Sequence, residues 1–392
     1  MNALASPARN LFRWALLIFI ITIVIGILNG LDVWDPPRTM ILTHVHAGTL
    51  GWITLSVVGA AMLIFGDDAS DEEARSATYL GYGVIGSVAL YVIAFATTAG
   101  VLRPTAGTLV LIVIVWALVW VSRRYAASEK STPRLGMLLA MISLTVGAIL
   151  GVLLGLFIAQ GSLPGMDESQ AANLAGAHPV AMLVGYLILA GAAIADWVLG
   201  GREGVLGKVV VWLLFIAGII ANISFIFDIE ALIQVFSLLQ VVAIVLFIVR
   251  MWPSIAPAAW SEKGGGQPFA RMSVIFLVVG IALLVYTVQL FVSGELNPET
   301  GEGPVGVLIA FDHSMFIGVM TNALLATVVR LISGATDRVV LWVVNGGLLV
   351  FLIGLVSDSS VIKRIGAPVM GLALLYAIYV YWRQLGSSAK AA

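Results

Sequence analysis

The sequence predicts an all-α polytopic membrane protein with twelve transmembrane helices. Three observations carry that prediction. Of 392 residues, 60% are hydrophobic and only 10% are charged, too few to coat a soluble protein of this size. Apolar stretches of about 20 residues, the length that crosses a hydrocarbon core of about 30 Å, recur from end to end. Basic residues concentrate in alternate loops, as expected when one set of loops faces the cytoplasm.

Lipid offers backbone groups no hydrogen-bond partner, so each apolar stretch must satisfy its own as a helix. The stretches lie near 11–30, 40–65, 77–99, 104–122, 135–160, 175–199, 205–226, 229–250, 272–293, 305–332, 338–357 and 365–383. Leu11 to Gly30, preceded by Arg9 and Arg13, is too long for a signal peptide and reads as an uncleaved first helix. The weakest division is Asp228-Ile229-Glu230, where a kink instead of a turn would change the count.

With the N-terminus inside, 16 of the 20 basic residues fall on inner segments. Outside lie only Arg38, Arg103, Lys363 and Arg364, among acidic residues such as Asp167, Glu168, Glu295, Glu299 and Glu302. This split predicts a multi-pass protein of a bacterial-type cytoplasmic (inner) membrane, with both termini cytoplasmic. The stretch from Trp252 to Phe269, with Pro253, Pro257 and Gly264-Gly265-Gly266, reads as an inner linker, with Trp252 and Trp260 at the membrane interface. The whole chain reads as one membrane domain with quasi-repeats near 1–130, 131–265 and 266–392.

The net charge of −1 gives no electrostatic case for nucleic acid. With no cysteine, the chain has no disulfide, iron–sulfur cluster, thiolate copper site or covalent c-type heme attachment. A metal would have to be held by histidine, methionine or oxygen. The four histidines are His44, His46, His178 and His313. Their near-equal spacing puts them on helices 2, 6 and 10, each entering from the outer side, within the first turns. A histidine that only caps a helix end is the plainer reading of any one of them. Four at one depth on every fourth helix point to a cofactor, because polar groups inside a membrane are costly. At about 100° per residue, His44 and His46 point to opposite sides of helix 2, which becomes a wall between two pockets.

The stretch Thr43-His44-Val45-His46-Ala47-Gly48-Thr49-Leu50-Gly51-Trp52 resembles the His-x-His helix of subunit I of the heme–copper oxidases, especially the cbb-type oxidases. The stretch from Phe311-Asp312-His313-Ser314-Met315 to Asp337-Arg338 is similar to a late helix of the NnrS proteins, twelve-helix heme- and copper-containing membrane proteins linked to nitric oxide stress. The resemblance implies a pseudo-threefold, three-by-four heme–copper-oxidase-like arrangement of helices. It also implies heme b, one or two, with copper as a further candidate. There are departures. The oxidases use six metal-binding histidines, including an adjacent pair on helix 7, and carry a tyrosine where this chain has Met182. Their His-x-His lies on helix 10, whereas here it is on helix 2, which requires the roles to be permuted.

On that resemblance, His46 is one axial ligand of a low-spin heme, opposite His178 or His313, and the permuted mapping favours His178. His44 faces the second pocket with the remaining histidine, and that pocket holds another heme, one copper ion or nothing. Met182, Met315 or water would complete a copper site, though packing is the plainer role of both methionines. Lys363 and Arg364 fall in the loop where the oxidases hold heme propionates, and Arg38 comes next. All three could equally be exposed loop charges. Asp312 either orients the His313 imidazole, accepts a proton or caps a helix. Asn222, Asn322, Asn345 and Gln289 are expected to bond between helices.

Three functions follow as expectations. The first is a heme protein that handles nitric oxide or electrons. The second is a terminal nitric oxide or oxygen reductase, an oxidoreductase of the superfamily. The third is a transporter using histidines for protons or metal ions. The partners expected are the bilayer, heme, a small gas (nitric oxide or oxygen) and an electron-donor protein or a second copy.

Overall fold

A computed structural model describes residues 3–67, 69–97, 100–261, 265–296 and 302–387. Glu299 and Gly264, named above, lie outside the described residues. Twelve helices are long and apolar enough to cross a bilayer. They are α1 (Ala5–Gly30), α2 (Arg38–Ile64), α3 (Asp71–Thr97), α4 (Leu102–Ala127), α5 (Thr132–Gln160), α6 (Glu168–Leu199), α7 (Val205–Ile226), α8 (Glu230–Ile255), α9 (Gln267–Val292), α10 (Val305–Leu331), α11 (Arg338–Val356) and α12 (Ser360–Gly386). Among the described residues no β-strand forms. The protein is therefore an all-α, multi-pass membrane protein.

The division at Asp228 is a true turn. Asp228 takes a left-handed conformation (φ 52°), and the Ile229 N–H donates to Ser224 O at 2.9 Å. That bond closes the last turn of α7 and lets α8 start at Glu230. Asp358 makes the same turn after α11, with Ser359 N–H on Gly354 O at 2.9 Å. As a result Lys363 and Arg364 stand in the first turns of α12, not in a loop.

Other boundaries also differ from expectation, two of them for clear local reasons. Helix α6 begins seven residues early, because Asp167 and Gln170 form a reciprocal capping box. The Gln170 backbone N–H holds the Asp167 carboxyl below its ordinary range. Helix α8 runs through Pro253 to Ile255, and a short 3-10 turn (Pro257–Ser261) follows, so the linker is narrower than expected. There Trp252 is exposed, while Trp260 stacks on Trp342 with ring centroids 6.1 Å apart.

The helices differ sharply in burial. In α2, α6 and α10 the most apolar stretch is 94%, 89% and 83% buried inside the protein, against 33–56% in the other nine spans. The three histidine-bearing helices are thus the core. The nine others present apolar surface, such as Ile112, Leu238 and Leu372, outward. Helix α1 packs on α12, α4 on α5 and α8 on α9. Arg13 lies over the Trp382 ring at 4.7 Å, so both chain ends emerge at one end of the bundle. At that end buried arginines satisfy main-chain carbonyls left open where helices stop. Arg124 reaches Phe65 O and Asp67 O and pairs with Glu73. Arg250 reaches Arg202 O and pairs with Asp196 at 2.5 Å.

Asn322 and Asn345 join α10 to α11 as expected, by reciprocal amide bonds of 2.7 and 3.0 Å. Removing one leaves the other's amide buried in lipid-like surroundings. Asn322→Ala and Asn345→Ala should each destabilise the protein by about 1 kcal/mol. A double-mutant cycle read by thermal unfolding in detergent should show the second removal costing less than the first.

Candidate functional site

All four histidines lie in the half of the bundle opposite the chain ends. Counted from the start of their helices, they lie 6 to 10 residues in, about 9–15 Å deep. They therefore sit deeper than the first turn. Below each one the helix changes form. A π-helical segment, in which each turn holds about one extra residue, follows at Ala47–Thr54 in α2, Ala181–Leu187 in α6 and Ser314–Thr321 in α10. The widened turns take up side-chain hydroxyls. Thr54 Oγ1 donates to Thr49 O and Thr321 Oγ1 to Phe316 O, both at 2.9 Å. The segments meet at the centre, where Trp52 Nε1 donates to Thr321 Oγ1 at 2.9 Å.

The π segments begin 134 and 133 residues apart, and their neighbours keep that register. Gly51, Gly185 and Gly318 occupy the same position in each, and face Ile18, Ser143 and Phe276 of the preceding helix. A side chain added at Gly51 or Gly318 would enter that neighbour.

Every imidazole is anchored the same way, through Nδ1 to a main-chain carbonyl. His44 bonds Thr22 O at 2.8 Å, His46 Leu42 O at 2.7 Å, His178 Gly147 O at 2.9 Å and His313 Ile309 O at 2.9 Å. A carbonyl oxygen only accepts, so in each bond the proton sits on Nδ1. That leaves the Nε2 lone pair of a neutral imidazole to face outward from the anchor. Among the described residues nothing hydrogen-bonds to an Nε2. This is the arrangement in which histidine binds a metal through Nε2 with its orientation fixed from behind.

The anchors fall into two kinds. His44 and His178 use a carbonyl of the preceding helix, and four residues further along that helix a glycine faces the ring. A Cβ on Gly26 would lie 3.0 Å from His44 Cε1, and one on Gly151 2.7 Å from His178 Cε1. His46 and His313 use the carbonyl four residues back on their own helix.

Two pairs result, one on each side of α2. The rings of His44 and His313 lie 6.5 Å apart, centroid to centroid, at an interplanar angle of 30°. On the other side His178 and Arg103 are within electrostatic reach of His46. The His46 ring stacks on Phe95 at 4.2 Å and meets Tyr91 edge-on at 5.3 Å. Phe351 closes on His313 at 5.1 Å. His44 and His46 thus face opposite sides of α2, as their two-residue spacing predicts. Among the described residues no three His, Asp or Glu side chains converge as a metal cluster.

The outer basic residues lie toward both sides of α2. Lys363 and Arg364 start α12, which packs on α1, the helix that anchors His44. Lys363 pairs with Asp358 at 3.8 Å and Arg364 with Asp32 at 2.9 Å. Arg38 is exposed at the first residue of α2 and has no partner among the described residues. Arg103 lies on the His46 side of α2 and donates through Nη2 to Phe95 O at 3.2 Å. Its guanidinium lies 4.6 Å over Phe95, the ring that stacks on His46, and its Nε is buried without a partner. Arg103 counted among the outer cations in the sequence, but nothing in its spacing linked it to His46.

Other expectations need correction. Asp312 lies inside α10 and caps nothing, and the anchor of His313 is Ile309 O, not Asp312. The Asp312 Oδ1 is buried without a partner. Met182 and Met315, by contrast, pack under Gly147 and Gly280 of the preceding helices, in the packing role that was the plainer expectation for both. Gln289 bonds to no neighbouring helix among the described residues. It lines an open groove of about 350 Å³ between α8 and α9 with Gln234 and Ser237.

No protein-family model and no curated protein matches the chain.

The glycines that face the rings give a test of the geometry. Gly151→Val should push His178 off its anchor, and Gly26→Val should do the same to His44. Each should lower thermal stability in detergent by about 1–3 kcal/mol through overpacking, while helix content by circular dichroism stays unchanged.

Proposed function

We propose that this chain is a b-type heme-binding membrane protein in which His46 and His178 supply the two axial nitrogens of a low-spin heme. Its role in this reading is to carry electrons or to handle nitric oxide. The observation that carries the reading is the shared anchoring of all four imidazoles. Each Nδ1–H is tied to a carbonyl, and each Nε2 is left without a partner in a membrane-spanning helix. An unused imidazole nitrogen at such depth is costly unless a ligand meets it.

The residues fit the group in two further respects. Gly26 and Gly151 hold open the space that the rings occupy. Cationic side chains stand toward the same end for the anionic propionates: Arg103 by His46, and Lys363, Arg364 and Arg38 at the ends of α12 and α2. Heme, when bound, supplies a one-electron iron couple whose potential the axial nitrogens and nearby charge set. The chain's own part is to orient the imidazoles, exclude water with Phe95, Tyr91 and Phe351, and hold the propionates.

The arrangement in this reading is three four-helix repeats around a pseudo-threefold axis. The burial of α2, α6 and α10, the recurring π segments and the α12–α1, α4–α5 and α8–α9 contacts support it. The excess of basic residues at the end that holds both termini supports a cytoplasmic location for that end, in a bacterial-type inner membrane. The histidine pockets then lie toward the outer face. The chain lacks the histidines of a heme–copper centre, so this reading contains no oxygen-reducing site of the oxidase kind.

Protein purified from heme-replete cells should be coloured and give a b-type reduced-minus-oxidised spectrum. His46→Ala should diminish that spectrum, and so should His178→Ala. A colourless, metal-free preparation of folded protein would overturn the proposal.

A further inference from the structure

We infer that the pair His44 and His313 is a second heme site, also ligated by two histidines, and that a third equivalent interface has been closed. This rests on the heme reading above. It decides what the second pocket takes: a heme and not copper.

The internal register makes the case. With the π segments superposed, His44 aligns with His178 and with Phe311. His46 aligns with Val180 and His313. The hydrogen bonds follow the same alignment. His44 and His178 are anchored on the preceding helix, at Thr22 and Gly147. His46 and His313 are anchored four residues back on their own helix. Each pair therefore combines one histidine of each kind from two different repeats. His46 of the first repeat is within electrostatic reach of His178 of the second. His44 of the first faces His313 of the third. The two sites are the same construction at two interfaces, so a heme at one predicts a heme at the other.

Distance agrees with this assignment. Two imidazoles that bind one metal from opposite sides, with metal–nitrogen bonds of about 2 Å, place their ring centroids about 6 Å apart. His44 and His313 are 6.5 Å apart. A copper ion there would have these two nitrogens only. Among the described residues no third His, Asp or Glu joins them, and Met315 is packed beneath Gly280.

The interface between the second and third repeats carries the complementary evidence. Both histidine positions are apolar there, as Phe311 and Val180. The position of Gly26 and Gly151 is taken by Leu284, since Gly280 faces Met315 as Gly147 faces Met182. Phe311 and Leu284 are buried. The space that a glycine opens for an imidazole is filled by leucine, and the imidazole by phenylalanine. Two sites are built and one is packed shut. A heme held by two histidines would leave its iron no open position for a gas, and both sites would supply two histidines. Within the proposed function this favours electron transfer over gas chemistry.

The test is heme and copper content per chain in the full-length protein, with electron paramagnetic resonance of the oxidised form. Wild type should hold two hemes per chain, both low-spin. His44→Ala and His313→Ala should each halve the content and leave the His46–His178 signal intact, and His178→Ala should leave the other one. Conservative variants His44→Gln and His313→Gln should also lose that site if the histidines are ligands, and keep it if they only fill space. One heme per chain, unchanged in His44→Ala and His313→Ala, would overturn this inference and leave the proposed function standing. Stoichiometric copper that disappears in His313→Ala would also overturn it, as would three hemes per chain. No heme at all would sink both readings.

Discussion

A histidine inside a membrane-spanning helix has two ring nitrogens to satisfy, and here the backbone satisfies only one. All four imidazoles use Nδ1 on a carbonyl, which fixes the tautomer and the ring direction together. The features around them follow from that constraint. The carbonyls of Thr22 and Gly147 must come close, so α1 and α5 press against α2 and α6. Glycine stands at 26 and 151 because a Cβ there would meet the ring. The π segments begin one to three residues after the histidines, where the three core helices converge.

Polarity near the site is handled differently from polarity elsewhere. Asn322 and Asn345 satisfy one another, and Arg124 and Arg250 satisfy carbonyls and carboxylates. Those contacts bind the bundle together. Around the histidines, nothing among the described residues hydrogen-bonds to an Nε2, and Arg103 Nε and Asp312 Oδ1 are buried without a partner. A structural role explains the first set. For the second set the proposed heme would supply the partner, its iron meeting the imidazoles and its propionates the cations.

Much of this was legible in the sequence. The helix count followed from apolar length and basic bias, and the two-residue offset of His44 and His46 announced a shared wall between two pockets. The boundaries that were missed had local causes. The Asp167 to Gln170 capping box was present in the residues and starts α6 early. Asp228 and Asp358 take left-handed turns that aspartate tolerates more readily than most residues. The π segments were not legible, since an extra residue per turn leaves no pattern in a uniformly apolar stretch. The anchors were not legible either, because a carbonyl belongs to no particular residue type. The role of Arg103 depends on Phe95 folding between it and His46, a contact that only the packed structure creates.

If imidazole Nε2 atoms of this chain hold iron in pairs, as proposed above, X-ray absorption at the iron edge of the purified, oxidised protein should show iron bound by six nitrogens at about 2 Å, with no sulfur or oxygen donor, as a heme between two imidazoles requires. Five-coordinate iron, an oxygen or sulfur ligand, or protein without iron would contradict the proposal.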